Sequence, residues 1–295
     1  TDPSLVGNWA SRLLARDPRT RATAEAALAE GGRSSFPLLR RLLAPEHEDL
    51  HSVTFRILQR IGPPAIPLLA DLLQHESDSV RRGAVNELVD LAPHTESIQP
   101  ALQRALRDED GAVAGDAARA LGALGERASP SAGALVDALA HEDPHVRIYA
   151  AEALASIGPS AARATSALAD ALGDPVPGVR WAACEALGSI GPAAQPAVPR
   201  LTAALQDPFL YVRIFAAGAL GSIGPGARSA REALEAATAD PALHDEAEWA
   251  LRRIAGATSP APVESHVVPA PPVALPIQAS AVPAGSPPVD WDTAT

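Results

Sequence analysis

Apolar positions recur along the middle of this chain in fixed registers rather than in one broad block. Val80, Val113, Val146, Val179 and Val212 stand 33 residues apart, and Leu88, Leu121, Leu154, Leu187 and Leu220 keep the same interval. A third register closes each unit at Leu91, Leu124, Ile157, Ile190 and Ile223, and Gly-Pro follows the last three of these. One globular core has no need of five units locked to one period, whereas a stack of two-helix units does.

Within residues 131–158 the pattern resolves into elements. Leu135 and Leu139, at i and i+4, make one apolar stripe and predict a first helix over 131–141. Glu142-Asp143-Pro144 breaks it, with Asp143 suited to cap a helix and Pro144 to its first position, where a missing N–H costs nothing. Val146, Ala150, Ala153, Leu154 and Ile157 then predict a second helix over 145–157, which Gly158-Pro159 ends. The layout repeats over 164–191 and 197–224. Earlier units are looser: Phe36-Pro37-Leu38-Leu39 and Ile66-Pro67-Leu68-Leu69 are related but 30 residues apart. The expected fold is all-α, a solenoid of about eight stacked hairpins over 1–256, most regular at 78–225, with end-capping pairs at 1–30 and 229–256. Residues 257–295, dense in Pro, Ala and Val, predict an extended or disordered tail.

Composition narrows the function. Aromatics are only 3%, so the layers must be built from Ala, Leu, Val and Ile. Every basic residue is Arg, and the net charge of −11 argues against nucleic-acid binding and against anionic membrane surfaces. No apolar run approaches the roughly 18 residues that membrane insertion requires. The lone Cys184 shares a register with Ala151 and Ala217 and reads as a small core residue; one cysteine forms neither an internal disulfide nor a multi-thiolate metal site. With no secretory stretch at its start, the chain is expected in the cytoplasm. His47 and His51 have the spacing of two metal ligands, yet no His-Glu-x-x-His sequence is present and the neighbourhood reads as an acidic turn. Neither a phosphate loop nor a nucleophile elbow occurs, so no catalytic residue, metal or cofactor is assigned.

From Asp143 to Leu154, ahead of Ile157-Gly158-Pro159, the chain reads Asp-Pro-x-Val-Arg-x-x-Ala-Ala-x-Ala-Leu. It resembles the HEAT family, in particular the short bacterial HEAT-like repeats found also in phycobilisome lyase subunits, and the resemblance extends over 3–256. It implies that first helices line a convex face and second helices a concave face that receives partners. It also implies a structural ladder at Asp78, Arg81, Asp143, Arg147, Asp174, Arg180, Asp207 and Arg213, tying turn to helix and repeat to repeat. Ala114 interrupts that column, so a softer junction is expected there.

Advancing about 100° per residue from Val146 sends positions 148, 152, 155 and 156 away from the buried side, with 149 on the flank. The family usually places a charged residue at 148. Here the column reads Ile148, Trp181, Ile214, the flank Tyr149, Ala182, Phe215, and Tyr211 sits just ahead of Val212. A contiguous apolar patch of this kind marks contact sites, and aromatic anchors dominate interface centres. With Trp249 and Trp291 added, these residues form the candidate partner-binding set on repeats 5–7. The expected function is a non-catalytic protein-binding scaffold or assembly subunit, its partner another protein within a multi-subunit complex, with the tail as a second contact. The resemblance also leaves open an enzyme subunit of the HEAT-type lyase or chaperone class, in which Trp181, Tyr149 and Phe215 line a cleft for a small molecule or chromophore.

Overall fold

A computed structural model describes residues 3–91 and 97–258. Among them sixteen α-helices pair into eight hairpins, and no strand occurs. In chain order the pairs are α1 (Pro3–Leu13) with α2 (Pro18–Glu30), α3 (Phe36–Leu42) with α4 (Glu48–Ile61), and α5 (Ile66–Leu72) with α6 (Asp78–Leu91). They continue with α7 (Gln99–Ala105) and α8 (Gly111–Ala123), α9 (Ala132–Ala138) and α10 (Pro144–Ile157), and α11 (Thr165–Ala171) and α12 (Pro177–Ile190). The last two are α13 (Val198–Ala204) with α14 (Leu210–Ile223), and α15 (Arg231–Ala237) with α16 (His244–Ile254). The tail expected from residue 257 onward lies almost wholly outside the described residues.

Local chemistry sets the helix ends where the pattern placed them. Asp143 accepts the His145 N–H at 2.8 Å, and Pro144 opens α10. At the other end Gly158 adopts φ 68° and ψ −138°, a combination closed to residues with a Cβ, and Gly191 and Gly224 repeat it. The chain then departs from the expected single first helix. A seven-residue 3-10 stretch comes first, such as Gly125–Ser131, Gly158–Ala164 or Gly191–Ala197, and only seven residues of α-helix follow. Pro159 and Pro192 open two of these stretches, and Pro130 and Pro196 sit inside two, where a missing amide rules out regular α-helical bonding.

The core is one thin layer repeated. Val146, Val179 and Val212 are at most 1% exposed, as are Leu154, Leu187 and Leu220, and each fully buried side chain of this size contributes about 1.5–3 kcal/mol. Second helices stack on second helices through small residues. A Cβ at Gly122 would stand 3.2 Å from Ala153 Cα, and one at Gly188 would stand 3.3 Å from Ala219 Cα. Cys184 belongs to this layer and is fully buried, and burial pushes its thiol pKa up.

Charged rungs connect the turns and tie each repeat to the next. Each ladder arginine reaches the aspartate one repeat ahead. Arg81 binds Asp108 at 2.8 and 2.9 Å, Arg147 binds Asp174 at 2.8 and 3.0 Å, and Arg180 binds Asp207 at 2.7 and 2.9 Å. Arg213 continues the series to Asp240 at 3.3 Å. In all four, Nη1 also donates to two carbonyls of the arginine's own preceding turn, as Arg147 does to His141 and Glu142. Asp78 and Asp143, expected in the ladder, stand outside it. Asp78 accepts the Ser79 N–H and meets Arg82 at 3.4 Å, while Asp143 caps α10. Asp108 and Asp240 take the places foreseen for them.

The interruption at Ala114 does not leave a loose junction. Tyr149 of α10 packs on Gly115 of α8, where a Cβ would lie 3.1 Å from Cδ2, and Gly122 admits Ala153. Closer helix approach stands in for the missing rung.

Candidate interaction face on the second helices

The outward residues of α10, α12 and α14 form a continuous strip, because positions 33 residues apart fall side by side on adjacent helices. Trp181 and Phe215 meet edge to face with ring centroids 5.4 Å apart. Ile148 leans forward onto Gly178, where a Cβ would lie 3.0 Å from its Cδ1. Tyr149 leans back onto Gly115, and Arg119 stands 5.8 Å from its ring centroid. Ile148, Tyr149, Trp181, Ile214 and Phe215 are all half-buried and packed against the core, and Tyr211 is half-buried as well. Each bridges or borders a junction while keeping part of its surface in solvent. The indole N–H of Trp181 is covered and has no acceptor among the described residues.

Two other expected contacts fall elsewhere. Trp249 is 7% exposed, because it occupies the buried register held by Ala150, Ala183 and Ala216 in other repeats and covers Gly221 of α14. Its size closes the C-terminal end of the layer, so it is a core residue and not a surface contact. Trp291 lies outside the described residues.

Several residues of the face were not foreseen. Glu152 and Glu185, again 33 residues apart, line an open groove of 360 Å3 with Ala155, Ser156, Trp181 and Ser189. Burial raises the Glu152 carboxyl to about 7, with repulsion from Glu185 adding to it and Arg119 opposing it. Burial also raises Glu185. On α8 burial raises Asp116, opposed by Arg119, whose Nη1 lies 2.6 Å from its carboxylate. Acidic groups therefore continue across three consecutive second helices. At the head of α14, Phe209 and Leu210 are 36% and 37% exposed and extend the apolar strip beside Tyr211; Arg180 stands 5.6 Å from the Phe209 ring centroid. The signal for this pair was available, since Leu210 stands where α10 and α12 carry Pro144 and Pro177.

Among the described residues no cluster of three or more His, Cys, Asp or Glu could hold a metal ion, and no helix is long and apolar enough to cross a membrane. His51 is buried with its Nε2 3.3 Å from the Ala44 carbonyl oxygen, and His47 precedes α4.

Comparison with known proteins agrees with this architecture. An engineered protein of known crystal structure superposes with a TM-score of 0.59 at 24% identity, covering 85% of this chain and 78% of that one. The HEAT-like repeats protein of the archaeon Thermococcus onnurineus NA1 gives 0.53 at 16% identity, with 75% and 97% covered. A designed armadillo repeat protein gives 0.52 at 19% identity, with 64% and 99% covered. These likenesses establish a shared fold. No curated protein gives a significant sequence match. The family model for HEAT repeats matches residues 66–134, 131–208 and 179–255, together more than half of the chain, and the chain therefore belongs to the HEAT-repeat family.

Proposed function

We propose that this chain is a non-catalytic scaffold that binds another protein through the outward face of α10, α12 and α14. HEAT-type solenoids present extended surfaces of stacked helices, and such surfaces commonly receive protein partners. The observation that carries the reading is the half-buried Trp181–Phe215 pair at the centre of the strip. Aromatic residues held rigidly by their own repeat lose little side-chain freedom on docking, so less of the contact energy goes to ordering them. Ile148 and Tyr149 extend the strip toward α8, and Ile214 with Phe209 and Leu210 extends it along α14.

The test is affinity capture from the native source, comparing wild type with a Trp181→Glu/Phe215→Glu variant shown to be helical by circular dichroism. A protein recovered near stoichiometrically with wild type and lost with the variant supports the reading. Equal recovery from both removes this face from consideration.

A further inference from the structure

Glu152 and Glu185 are half-buried acids that make no side-chain hydrogen bond and no ion pair among the described residues. The contrast with the rest of the acidic surface is sharp. Asp108, Asp174, Asp207 and Asp240 each hold an arginine from the preceding repeat, and Asp116 holds Arg119. Arg119 is the cation whose field reaches Glu152, and it is already engaged at 2.6 Å by Asp116. Two carboxylates stripped of much of their water and placed close enough to repel each other are therefore left without a counter-charge, on either side of a groove that Trp181 also lines.

We propose that this groove between α10 and α12 seats an arginine side chain of the bound protein, held by the carboxylates of Glu152 and Glu185 beside the Trp181 ring. The proposal rests on the reading of this face as a protein-binding surface and adds the chemistry of the occupant. Charge complementarity selects a cation. A guanidinium suits the site better than an ammonium because its planar fork can donate to two carboxylates at once, it sheds water more readily and it stacks on an indole face. Ser156 and Ser189 line the groove too, and the Ser189 hydroxyl makes no hydrogen bond within the described residues that would compete with an occupant.

The experiment titrates a fluorescein-labelled hexa-arginine peptide with the full chain at about 50 mM salt, where exposed charge is only partly screened, and reads anisotropy. Wild type is expected to bind saturably and to prefer hexa-arginine to hexa-lysine. Glu152→Gln/Glu185→Gln is expected to weaken binding about tenfold or more, as loss of a desolvated charge pair does. Glu30→Gln/Glu46→Gln, which removes the same charge from exposed sites elsewhere, is expected to leave it unchanged. Absent binding, equal weakening by both double variants, or no weakening by the first overturns the proposal. Capture of the native partner separates the two claims. A partner lost with Trp181→Glu/Phe215→Glu but retained by Glu152→Gln/Glu185→Gln overturns the arginine site alone, and one retained by both overturns the binding face as well.

Discussion

Arg180 joins two turns at once: Nε and Nη2 hold the Asp207 carboxylate at 2.7 and 2.9 Å, while Nη1 donates to the Asp174 carbonyl at 2.8 Å. Both side chains are at most 10% exposed, so neither has water to fall back on. Asp207→Ala is expected to cost about 3 kcal/mol, the usual consequence of leaving one member of a buried pair uncompensated. Asp71→Ala removes the partner of Arg40, where both side chains are more than half exposed, and is expected to change stability by less than about 0.5 kcal/mol. Thermal unfolding followed by circular dichroism compares them, and equal shifts would contradict the ladder's role.

Glu152 is expected to destabilise the fold at neutral and alkaline pH. Burial, with Glu185 of α12 adding to it and Arg119 of α8 opposing, raises its folded-state pKa from 4.5 to about 7. Between those values the folded chain holds a proton that the unfolded chain has released, so stability falls as pH rises through that window. Glu152→Gln removes the effect. The variant is expected to match wild type near pH 4.5 and to exceed it at pH 8 by about 1 kcal/mol, a figure reduced because the group keeps part of its water. A constant difference across the range would show that burial of the charge is not the cause.

Two glycines of α14 are expected to answer the same substitution with opposite signs. A Cβ at Gly218 meets nothing within 4 Å, so Gly218→Ala gains helix propensity, about 0.5–1 kcal/mol. A Cβ at Gly221 would strike the Trp249 ring and stand 3.0 Å from Ala250 Cα, so Gly221→Ala is expected to cost about 1–3 kcal/mol through overpacking. Denaturant midpoints of the two variants decide the matter, and a Gly221→Ala variant as stable as wild type would undo the account of Trp249 as the end of the core.

The 33-residue registers made the hairpins legible because each carries its own stop: Asp143 before α10 and Gly158 after it act on the backbone locally. The pairing of the ladder was not legible. A strict period places an arginine at one fixed offset from its own repeat's aspartate and at another from the next, and only the stacking geometry chooses between them. Trp249 was misplaced for the opposite reason. Its register holds alanine in other repeats, so an aromatic there closes the layer, yet aromatic character by itself suggested a contact surface. Glu152 and Glu185 were passed over because a glutamate at an outward helix position is ordinary, and their missing partners show only in three dimensions. The tail, with Trp291, falls outside the described residues.

The missing rung at Ala114 offers the strongest test of the ladder, because the chain has changed both of its ends. At the first turn position of successive repeats, Asp108, Asp174, Asp207 and Asp240 each accept the N–H two residues ahead, at 2.8–3.0 Å, and each also takes an arginine. His141 fills that position where the preceding repeat carries Ala114, and its Nδ1 accepts the Asp143 N–H at 3.0 Å; His75, one repeat after His51, likewise accepts the Ser77 N–H through Nδ1 at 3.1 Å. The turn is thus closed with or without a carboxylate, and the carboxylate appears where an arginine needs it. Ala114→Arg alone brings a guanidinium to an imidazole and is expected to destabilise by about 1–3 kcal/mol. His141→Asp alone keeps the turn bond and leaves a carboxylate unpaired, a smaller loss. The double variant restores the rung seen between Arg147 and Asp174, and is expected to recover about 1–3 kcal/mol beyond the sum of the single changes. A double-mutant cycle by urea unfolding measures that coupling, and additivity within about 0.5 kcal/mol would mean that the two positions have drifted independently.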